Sequence, residues 1–124
     1  MTKIPSDEEF ASAKQRMRNL DRNMDQVNER ARDFVRSLCA DCFYDLFVLA
    51  EGERRFRAYI FYRREVDVGI CEGNGVSERI RDFIFSELER CDRGRRDEIA
   101  LAFEFDSDEN VAANYDGDYF VRLR

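Results

Sequence analysis

Histidine is absent from this 124-residue chain, and its absence narrows the chemistry that the protein can perform. Histidine is the side chain that titrates near neutral pH, and it is the usual proton acceptor beside a catalytic nucleophile. Carboxylate, cysteine or tyrosine chemistry stays open, but the sequence contains no motif that would assemble such a site. We therefore predict that the protein is not an enzyme.

Long apolar runs are absent as well. A membrane-spanning helix needs about 18 to 20 consecutive, mostly apolar residues, and no stretch of this chain approaches that length. The N-terminal sequence MTKIPSDEEFASAKQ also lacks the apolar centre of a secretory signal. Together these absences predict a cytoplasmic protein with no membrane partner.

Cysteine is present, but not in the arrangement of a known metal site. Cys39 and Cys42 form a single CxxC, while Cys71 and Cys91 stand alone. A zinc site would need both lone cysteines to converge on that pair, since there is no second CxxC and no histidine. A redox dithiol is the other alternative. We interpret the cysteines as small buried side chains with free thiols.

Calcium ligands are also incomplete. Asp106, Asp108 and Asn110 have the spacing of the first three ligands of an EF-hand loop. However, Val111 stands where that loop requires glycine, and Gly117 stands where it requires a bidentate glutamate. A catalytic carboxylate pair would need one member in a dry pocket, whereas Asp108, Glu109, Asp116 and Asp118 are expected to be solvated. We expect no bound metal and no cofactor.

What the chain does contain is enough to build one folded domain over residues 1–124. Apolar residues make up 44% of it, including 11 Phe and 5 Tyr, and charged residues make up 39%. The two signs of charge are interspersed along most of the chain. A chain of this length is close to the commonest size for a single domain.

The negative charge is concentrated at one end. Residues 1–40 hold eight basic and seven acidic side chains, residues 41–96 hold eleven and twelve, and residues 97–124 hold two and eight. The three balances, +1, −1 and −6, give the total of −6. Such a surface repels phosphate, so we expect no nucleic-acid partner. It favours a basic protein partner instead.

Apolar side chains recur every three or four residues through the first third of the chain, which predicts a long first helix. Ser6 is its expected N-cap, with Glu9 completing a capping box. The apolar seam consists of Phe10, Ala13, Met17, Leu20, Met24, Val27, Ala31, Phe34 and Leu38. A continuous helix would be about 50 Å long, which exceeds the width of a small domain. Either the helix bends near residues 20–23, or its N-terminal half pairs with another chain, so a homodimer through this helix stays open.

Strands are predicted in five places by alternating or continuous apolar residues. They cover residues 42–50, 54–64, 64–70, 99–105 and 119–123, and an amphipathic second helix covers residues 76–91. The order is therefore α-β-β-β-α-β-β. Because strands follow one another in groups, this order predicts an α+β fold, with an antiparallel sheet of about five strands and both helices on one face.

The second predicted strand offers one candidate binding face. Arg55, Arg57, Tyr59 and Phe61 lie on the same side of it. A solvated face, on which arginine stems cover the rings, explains this pattern more simply. We keep it as the second choice for a binding surface.

The acidic connection between the last two predicted strands is the first choice. Ser107 or Asp108 is expected to cap a short helical turn at its start, and Asp116 and Gly117 are expected to form the turn that leads into the last strand. Its acids would steer a basic partner, and its aromatic residues would supply buried anchors. The predicted partner-binding residues are Asp106, Asp108, Glu109, Asp116, Asp118, Tyr115 and Tyr119.

The element order and the closing sequence FEFDSDENVAANYDGDYFVRL resemble the immunity proteins of bacterial polymorphic toxin systems. The chain is most similar to the YezG-like and Maf-type immunity families. The resemblance implies a non-enzymatic protein that binds and blocks the C-terminal domain of a cognate toxin, and a nuclease domain is the expected target. The alternative is a homodimeric adaptor that assembles through a coiled coil of the first helix.

Overall fold

A computed structural model describes residues 21–124, together with Glu8 and Ala11 of the preceding stretch. The elements in chain order are α1 (Met24–Cys39), β1 (Phe43–Gly52), β2 (Arg55–Tyr62), α2 (Glu65–Gly73), α3 (Val76–Arg90), β3 (Ala100–Ser107), α4 (Asp108–Asn114) and α5 (Tyr119–Arg122). They form an α+β fold. Within these ranges, no helix has both the length and the apolar character needed to cross a membrane.

Helix α1 begins after a turn at Arg22 and Asn23, within residues 20–23, where a bend is one of the two predicted alternatives. Asn23 has a left-handed backbone with φ 64°, which interrupts any helix that would run through it. From there the seam is buried: Met24, Val27 and Ala31 lie in the core of the same molecule. Phe34 and Leu38 are partly buried against the same core. The rest of the seam and the predicted N-cap lie outside the described residues; they are Ser6, Phe10, Ala13, Met17 and Leu20.

The sheet has three strands in the order β1-β2-β3, and it is mixed. β1 and β2 form an antiparallel hairpin, whereas β2 and β3 are parallel. The connection from β2 to β3 runs through α2 and α3, because a parallel pair needs a long crossover. The predicted antiparallel sheet of about five strands is therefore wrong.

The segment predicted as a third strand is helix α2. Val66, Val68 and Ile70 alternate as they would in a strand, but the two buried residues are Asp67 and Cys71, which are four apart and lie on one face of a helix. The Asp67 carboxylate accepts hydrogen bonds from the backbone N–H and the guanidinium of Arg64, which fixes the first turn. Val66 and Ile70 are left exposed.

The segment predicted as a fifth strand is the single helical turn α5. Its N-cap is Asp118, whose carboxylate accepts a hydrogen bond from the Val121 N–H at 3.2 Å. Asp116 and Gly117 form the predicted turn, with φ values of 52° and 74°. This left-handed turn carries the chain back over the sheet, so Tyr119 packs against the face of the sheet instead of pairing with an edge.

Both faces of the sheet are covered. On the first face, Phe56, Ala58, Ile60 and Tyr62 of β2 are buried beneath α1 and α3, as their alternation predicts. The second face carries Tyr59 and Phe61, which are buried beneath the last part of the chain. The two predicted helices, found as α1 and α3, lie on the same face as predicted, and the second face is covered by α4 and α5, which the sequence analysis did not place there.

Helix α1 also closes the outer edge of β1. The Asn28 side chain donates to the Val48 carbonyl at 2.9 Å and accepts from the Val48 N–H at 2.7 Å. The Arg32 guanidinium donates to the Leu46 carbonyl at 2.8 Å. These side chains take the place of a neighbouring strand, so β1 cannot add one there without losing them.

Candidate functional site

The C-terminal segment, residues 108–124, contains most of the predicted partner-binding residues. It starts at a cap: the Ser107 hydroxyl oxygen accepts a hydrogen bond from the Asn110 N–H at 2.9 Å, which confirms the predicted helical turn. The same hydroxyl donates to the Glu65 carboxylate at 2.6 Å. The segment is therefore tied to both β3 and α2 at its beginning.

Arg122 fixes the other end of the segment. Its guanidinium donates to the Asp106 carboxylate at 2.6 Å and to Glu104 at 3.2 Å. It also lies 5.7 to 5.8 Å from the ring centroids of Tyr59, Phe61 and Tyr115. Burial lowers the pKa of Arg122, but the hydrogen bonds to the carboxylates outweigh it and leave the pKa above its usual value. Arg122 therefore keeps its positive charge, and its guanidinium lies between the C-terminal segment and the rings of Tyr59 and Phe61 on β2.

Tyr119 attaches α5 to the sheet. Its ring packs edge-on against Phe61, with 4.9 Å between centroids, and its hydroxyl donates to the Asp108 carboxylate at 2.6 Å. Burial and this hydrogen bond raise the pKa of Tyr119. The hydroxyl therefore stays protonated, and it links α5 to the first residue of α4.

The structure separates the predicted acidic residues into two groups. Asp106 is only 8% exposed, and it is neutralised by Arg122. The other four acids form no ion pair among the described residues. Asp108 is half-buried, and Glu109, Asp116 and Asp118 are exposed. We refer to these four residues, Asp108, Glu109, Asp116 and Asp118, as the acidic quartet.

The acidic quartet accounts for the charge of this end of the molecule. Residues 97–124 contain eight acids. Asp97, Glu98, Glu104 and Asp106 form ion pairs with arginines. Within the part of the chain that the structure describes, no ion pair involves the quartet. Its negative charge is therefore not neutralised by a basic side chain there, although the Asp108 and Asp118 carboxylates accept hydrogen bonds from the Tyr119 hydroxyl and the Val121 N–H.

The predicted aromatic anchors are partly buried within the protein itself. Tyr115 and Tyr119 pack beside the buried cluster of Tyr59, Phe61 and Val111. The exposed apolar surface of the segment belongs instead to Phe120, which is 85% exposed, and to its neighbour Val121. The sequence analysis missed Phe120 because it assigned residues 119–123 to a strand. In that strand Phe120 would point to the other face from Tyr119 and Val121, the residues on which the prediction was based. The available signal was Asp118, an N-cap residue just after the Asp116–Gly117 turn.

The arginine-aromatic face of β2, the second candidate, is largely used for internal contacts. Arg57 forms ion pairs with Glu51 at 2.8 Å and with Glu104 at 2.9 Å. Tyr59 and Phe61 are buried beneath the C-terminal segment. Little of the predicted binding face is left for a partner.

The four cysteines are free thiols. The Sγ atoms of Cys42 and Cys71 are 3.7 Å apart, so the CxxC lies next to one of the lone cysteines. Burial is the main cause that raises the pKa of both Cys39 and Cys71 to about 12, and both thiols are therefore protonated at neutral pH. Over residues 21–124, no group of three or more Cys, Asp or Glu side chains is arranged to hold a metal ion.

Comparisons with known proteins do not assign the chain to a family. No protein-family model matches it, and no match is found among curated proteins or among solved structures. The resemblance to immunity proteins stays a prediction from the sequence.

Proposed function

We propose that the protein is a non-enzymatic, cytoplasmic immunity protein that binds the C-terminal domain of a cognate toxin. The binding surface is the outer side of the C-terminal segment. The observation that carries this proposal is the acidic quartet: its four carboxylates form no ion pair among the described residues, and Glu109, Asp116 and Asp118 are exposed. Elsewhere on the protein, many carboxylates are neutralised by a neighbouring arginine.

Unpaired carboxylates at one end of a molecule attract a basic partner before the two proteins touch. They raise the association rate and orient the encounter, and this effect weakens as salt screens the charges. A nuclease domain is a suitable target, because a cleft that binds phosphate also attracts carboxylates. Occupation of that cleft would block the toxin without any chemistry on the part of this protein.

Phe120 supplies the apolar contact that acidic residues alone do not provide. A large side chain that is 85% exposed and follows Asp116 and Asp118 in the chain fits a partner that has an apolar pocket with a basic rim. Val121 extends the same patch. Phe120 thus replaces Tyr115 and Tyr119 as the proposed anchor.

The segment is also well held, which favours binding. Arg122 and Tyr119 fix α5 against the sheet, and Ser107 caps α4. A surface that is ordered before binding loses less conformational entropy when the complex forms. The quartet and Phe120 are therefore presented in one fixed arrangement.

A growth-protection assay tests the proposal. The C-terminal domain of the toxin encoded nearest to this gene is expressed with and without the protein, and the complex is then isolated. We expect growth to be restored and the two chains to co-purify in equal amounts, because occlusion requires one inhibitor per toxin. Protection at strongly substoichiometric levels would contradict a non-enzymatic mechanism, and no protection by the folded protein would contradict the proposal.

Phe120→Ala tests the anchor in the same assay, and Val66→Ala is its matched control. Val66 is also an exposed apolar residue, at 56%, but it lies on α2 and is not part of the C-terminal segment. Truncation of an interface anchor costs about 2 kcal/mol or more, which is roughly a 30-fold loss of affinity. We expect that loss for Phe120→Ala and almost no effect for Val66→Ala. Equal effects of the two variants would exclude Phe120 as the anchor.

A further inference from the structure

The outer edge of β3 differs from the outer edge of β1. β3 is the last strand in the sheet order and pairs only with β2. Its pairing with β2 is regular over all eight residues, whereas the β1–β2 hairpin contains two register shifts. The sequence of β3, ALAFEFDS, contains no Lys, Pro or Gly. It therefore lacks the bulges, prolines and lysines that often protect an edge strand from pairing.

The backbone groups of β3 that point away from β2 can be identified. The Ala100 N–H donates to the Arg54 carbonyl at 2.8 Å, so Ala100 points toward β2. Since alternate residues of a strand point to opposite sides, the outward groups are those of Leu101, Phe103 and Phe105. Among residues 21–124, none donates to or accepts from these outward groups. Glu65 contacts Ser107 at the end of the strand, so the free stretch is Leu101–Phe105.

We propose that two copies of this chain pair antiparallel along the β3 edge, with Phe103 of one copy opposite Phe103 of the other, to form one continuous sheet. The second copy is the favoured occupant because the strand is self-complementary in this register. Leu101 then lies opposite Phe105 of the second copy, and each of these pairs can exchange two backbone hydrogen bonds. All side chains that meet on the helix-covered face are apolar.

The register is also complementary on the other face of the sheet. Glu104 of each copy lies opposite Ala102 of the other, and Asp106 lies opposite Ala100. No carboxylate faces another carboxylate, which would destabilise a pair of strands. Glu104 is already neutralised by Arg57 and Arg122 within its own chain. A register shifted by two residues, which keeps the same faces together, would bring the two Glu104 side chains opposite each other.

The aromatic residues beside the edge support the same pairing. Phe103 stacks on Phe105 with 6.1 Å between ring centroids and contacts Phe85 of α3 at 5.8 Å. Both Phe103 and Phe105 are only partly buried. The Arg96 guanidinium covers the Phe85 ring at 4.2 Å. A second copy would bury this row, since Phe103 of each copy would lie against Phe103 of the other.

The dimer leaves the proposed toxin-binding surface free. A two-fold axis perpendicular to the sheet keeps both α1 layers on one face and both C-terminal segments on the other. The dimer therefore presents two copies of the acidic quartet in the same direction. It is also distinct from a coiled coil through the N-terminal seam, which the sequence alone leaves open.

Two substitutions of Ala102 test the register, because an acidic residue there should weaken the dimer and a basic residue should not. Ala102 is exposed and is predicted to face Glu104 of the second copy. Sedimentation equilibrium of the full chain over micromolar to submillimolar concentrations measures the dimer dissociation constant. Ala102→Glu places a glutamate opposite Glu104 of the second copy, and the two-fold axis repeats this like-charge pair. We therefore expect about a tenfold weaker dimer. Ala102→Lys creates two opposite-charge pairs, so we expect an equal or tighter dimer.

Amide hydrogen exchange gives an independent readout with an internal control. The Phe103 amide should be protected only at concentrations at which the dimer forms, because its N–H points outward. The Ala102 amide should be protected at all concentrations, because it bonds to β2. Thermal unfolding of each variant confirms that the monomer fold is retained.

Three results would overturn the proposal. The first is a wild-type chain that stays monomeric over the whole concentration range. The second is a dimer that Ala102→Glu and Ala102→Lys change equally. The third is a dimer that dissociates when Met17 and Leu20 are replaced by Glu but is insensitive to Ala102→Glu, which would place the interface in the N-terminal seam.

Discussion

At the scale of single residues, Arg122 does most to hold the C-terminal segment on the sheet. It joins Asp106 and Glu104 on β3 to α5, and it is only 13% exposed. A buried carboxylate that loses its partner is left with an uncompensated charge, which costs more than the ion pair itself contributes. The position of the segment therefore depends on this side chain.

Arg122→Met should destabilise the protein by about 3 kcal/mol, because it leaves Asp106 buried and unpaired. Adding Asp106→Asn should recover part of that loss, since the remaining group is neutral. Urea unfolding of the two single variants and the double variant measures the coupling between these residues. Arg124→Met is the matched control, because Arg124 is exposed and its side chain has no ion pair within the described part of the chain. Equal losses for Arg122→Met and Arg124→Met would contradict this role.

Glu87 provides a residue-scale prediction about pH. Its carboxylate is nearly buried and accepts hydrogen bonds from Arg30 and Arg90, each at 2.9 Å. Burial raises the pKa of Glu87, but these two hydrogen bonds outweigh it and hold the pKa below its usual value. Because the folded pKa is depressed, this carboxylate stabilises the fold fully above about pH 4.3, and the contribution is lost as the pH falls through the folded pKa.

Glu87→Gln should therefore cost about 2 kcal/mol at neutral pH, and the difference from wild type should shrink in acid. Urea unfolding of both proteins at a series of pH values measures it. A difference that stays constant down to the lowest pH would show that packing, and not the charge of Glu87, is responsible.

At the scale of elements, the contrast between the two sheet edges is the main feature. Asn28 and Arg32 close the β1 edge from α1, while β3 is regular and open on its outer side within the described residues. One edge is thus protected by side chains of the same molecule. The other edge, along Leu101–Phe105, has no such protection among the described residues.

Asn28→Ala should open the β1 edge and destabilise the protein by about 2 kcal/mol, because it removes both hydrogen bonds to Val48. Glu29→Ala is the control: Glu29 is the next residue on α1, is exposed and has no ion pair among the described residues. Chemical unfolding gives the stability, and exchange of the Val48 amide reports the edge directly. If that amide exchanges no faster in Asn28→Ala than in Glu29→Ala, the edge is closed by other means.

Elements with a long, regular apolar pattern could be predicted from the sequence. The helix predicted over residues 76–91 is found at Val76–Arg90, and the strand predicted over residues 99–105 is found at Ala100–Ser107. In each of these segments the apolar residues share one face that packs against the core, so their period identifies the element.

Short elements could not be predicted in the same way. Val66, Val68 and Ile70 fit a strand of period two, yet the segment is a helix, in which Asp67 bonds to Arg64 at the first turn and Cys71 is buried beside Cys42. In a segment so short, the period alone does not distinguish the two. The same ambiguity hid α5, and with it the exposure of Phe120.

The candidate site was only partly predictable for a different reason. The acidic character of residues 97–124 is visible in the sequence, and so are the turn and the helix cap. Which acids are neutralised depends on partners distant in the chain: Arg122 pairs with Asp106, and Arg57 pairs with Glu104. Only the folded arrangement separates Asp106 from the acidic quartet.

At the scale of the whole molecule, the charge is unevenly distributed in a way that favours one direction of approach. The net charge of −6 belongs to residues 97–124. Half of the acids there are used in ion pairs, and the other half form the acidic quartet on one surface. A basic partner would be attracted to that surface from a distance.

Amide variants can remove this charge without disturbing the fold. Glu109→Gln, Asp116→Asn and Asp118→Asn together remove three negative charges. Asn tolerates the left-handed backbone of Asp116 and can still cap α5 in place of Asp118. A control triple variant carries Glu29→Gln, Glu89→Gln and Asp92→Asn. It has the same change in net charge, at exposed sites away from the C-terminal segment, and Asp92 also has a left-handed backbone.

The most direct test is the association rate of each triple variant with the cognate toxin domain, measured by stopped-flow at low and high salt. The account predicts that the quartet variant associates about tenfold more slowly than wild type at low salt, that the control variant changes little, and that the differences disappear at high salt. Equal slowing by both variants would mean that only net charge matters. An unchanged rate for the well-folded quartet variant would contradict the claim that the C-terminal segment is the binding surface.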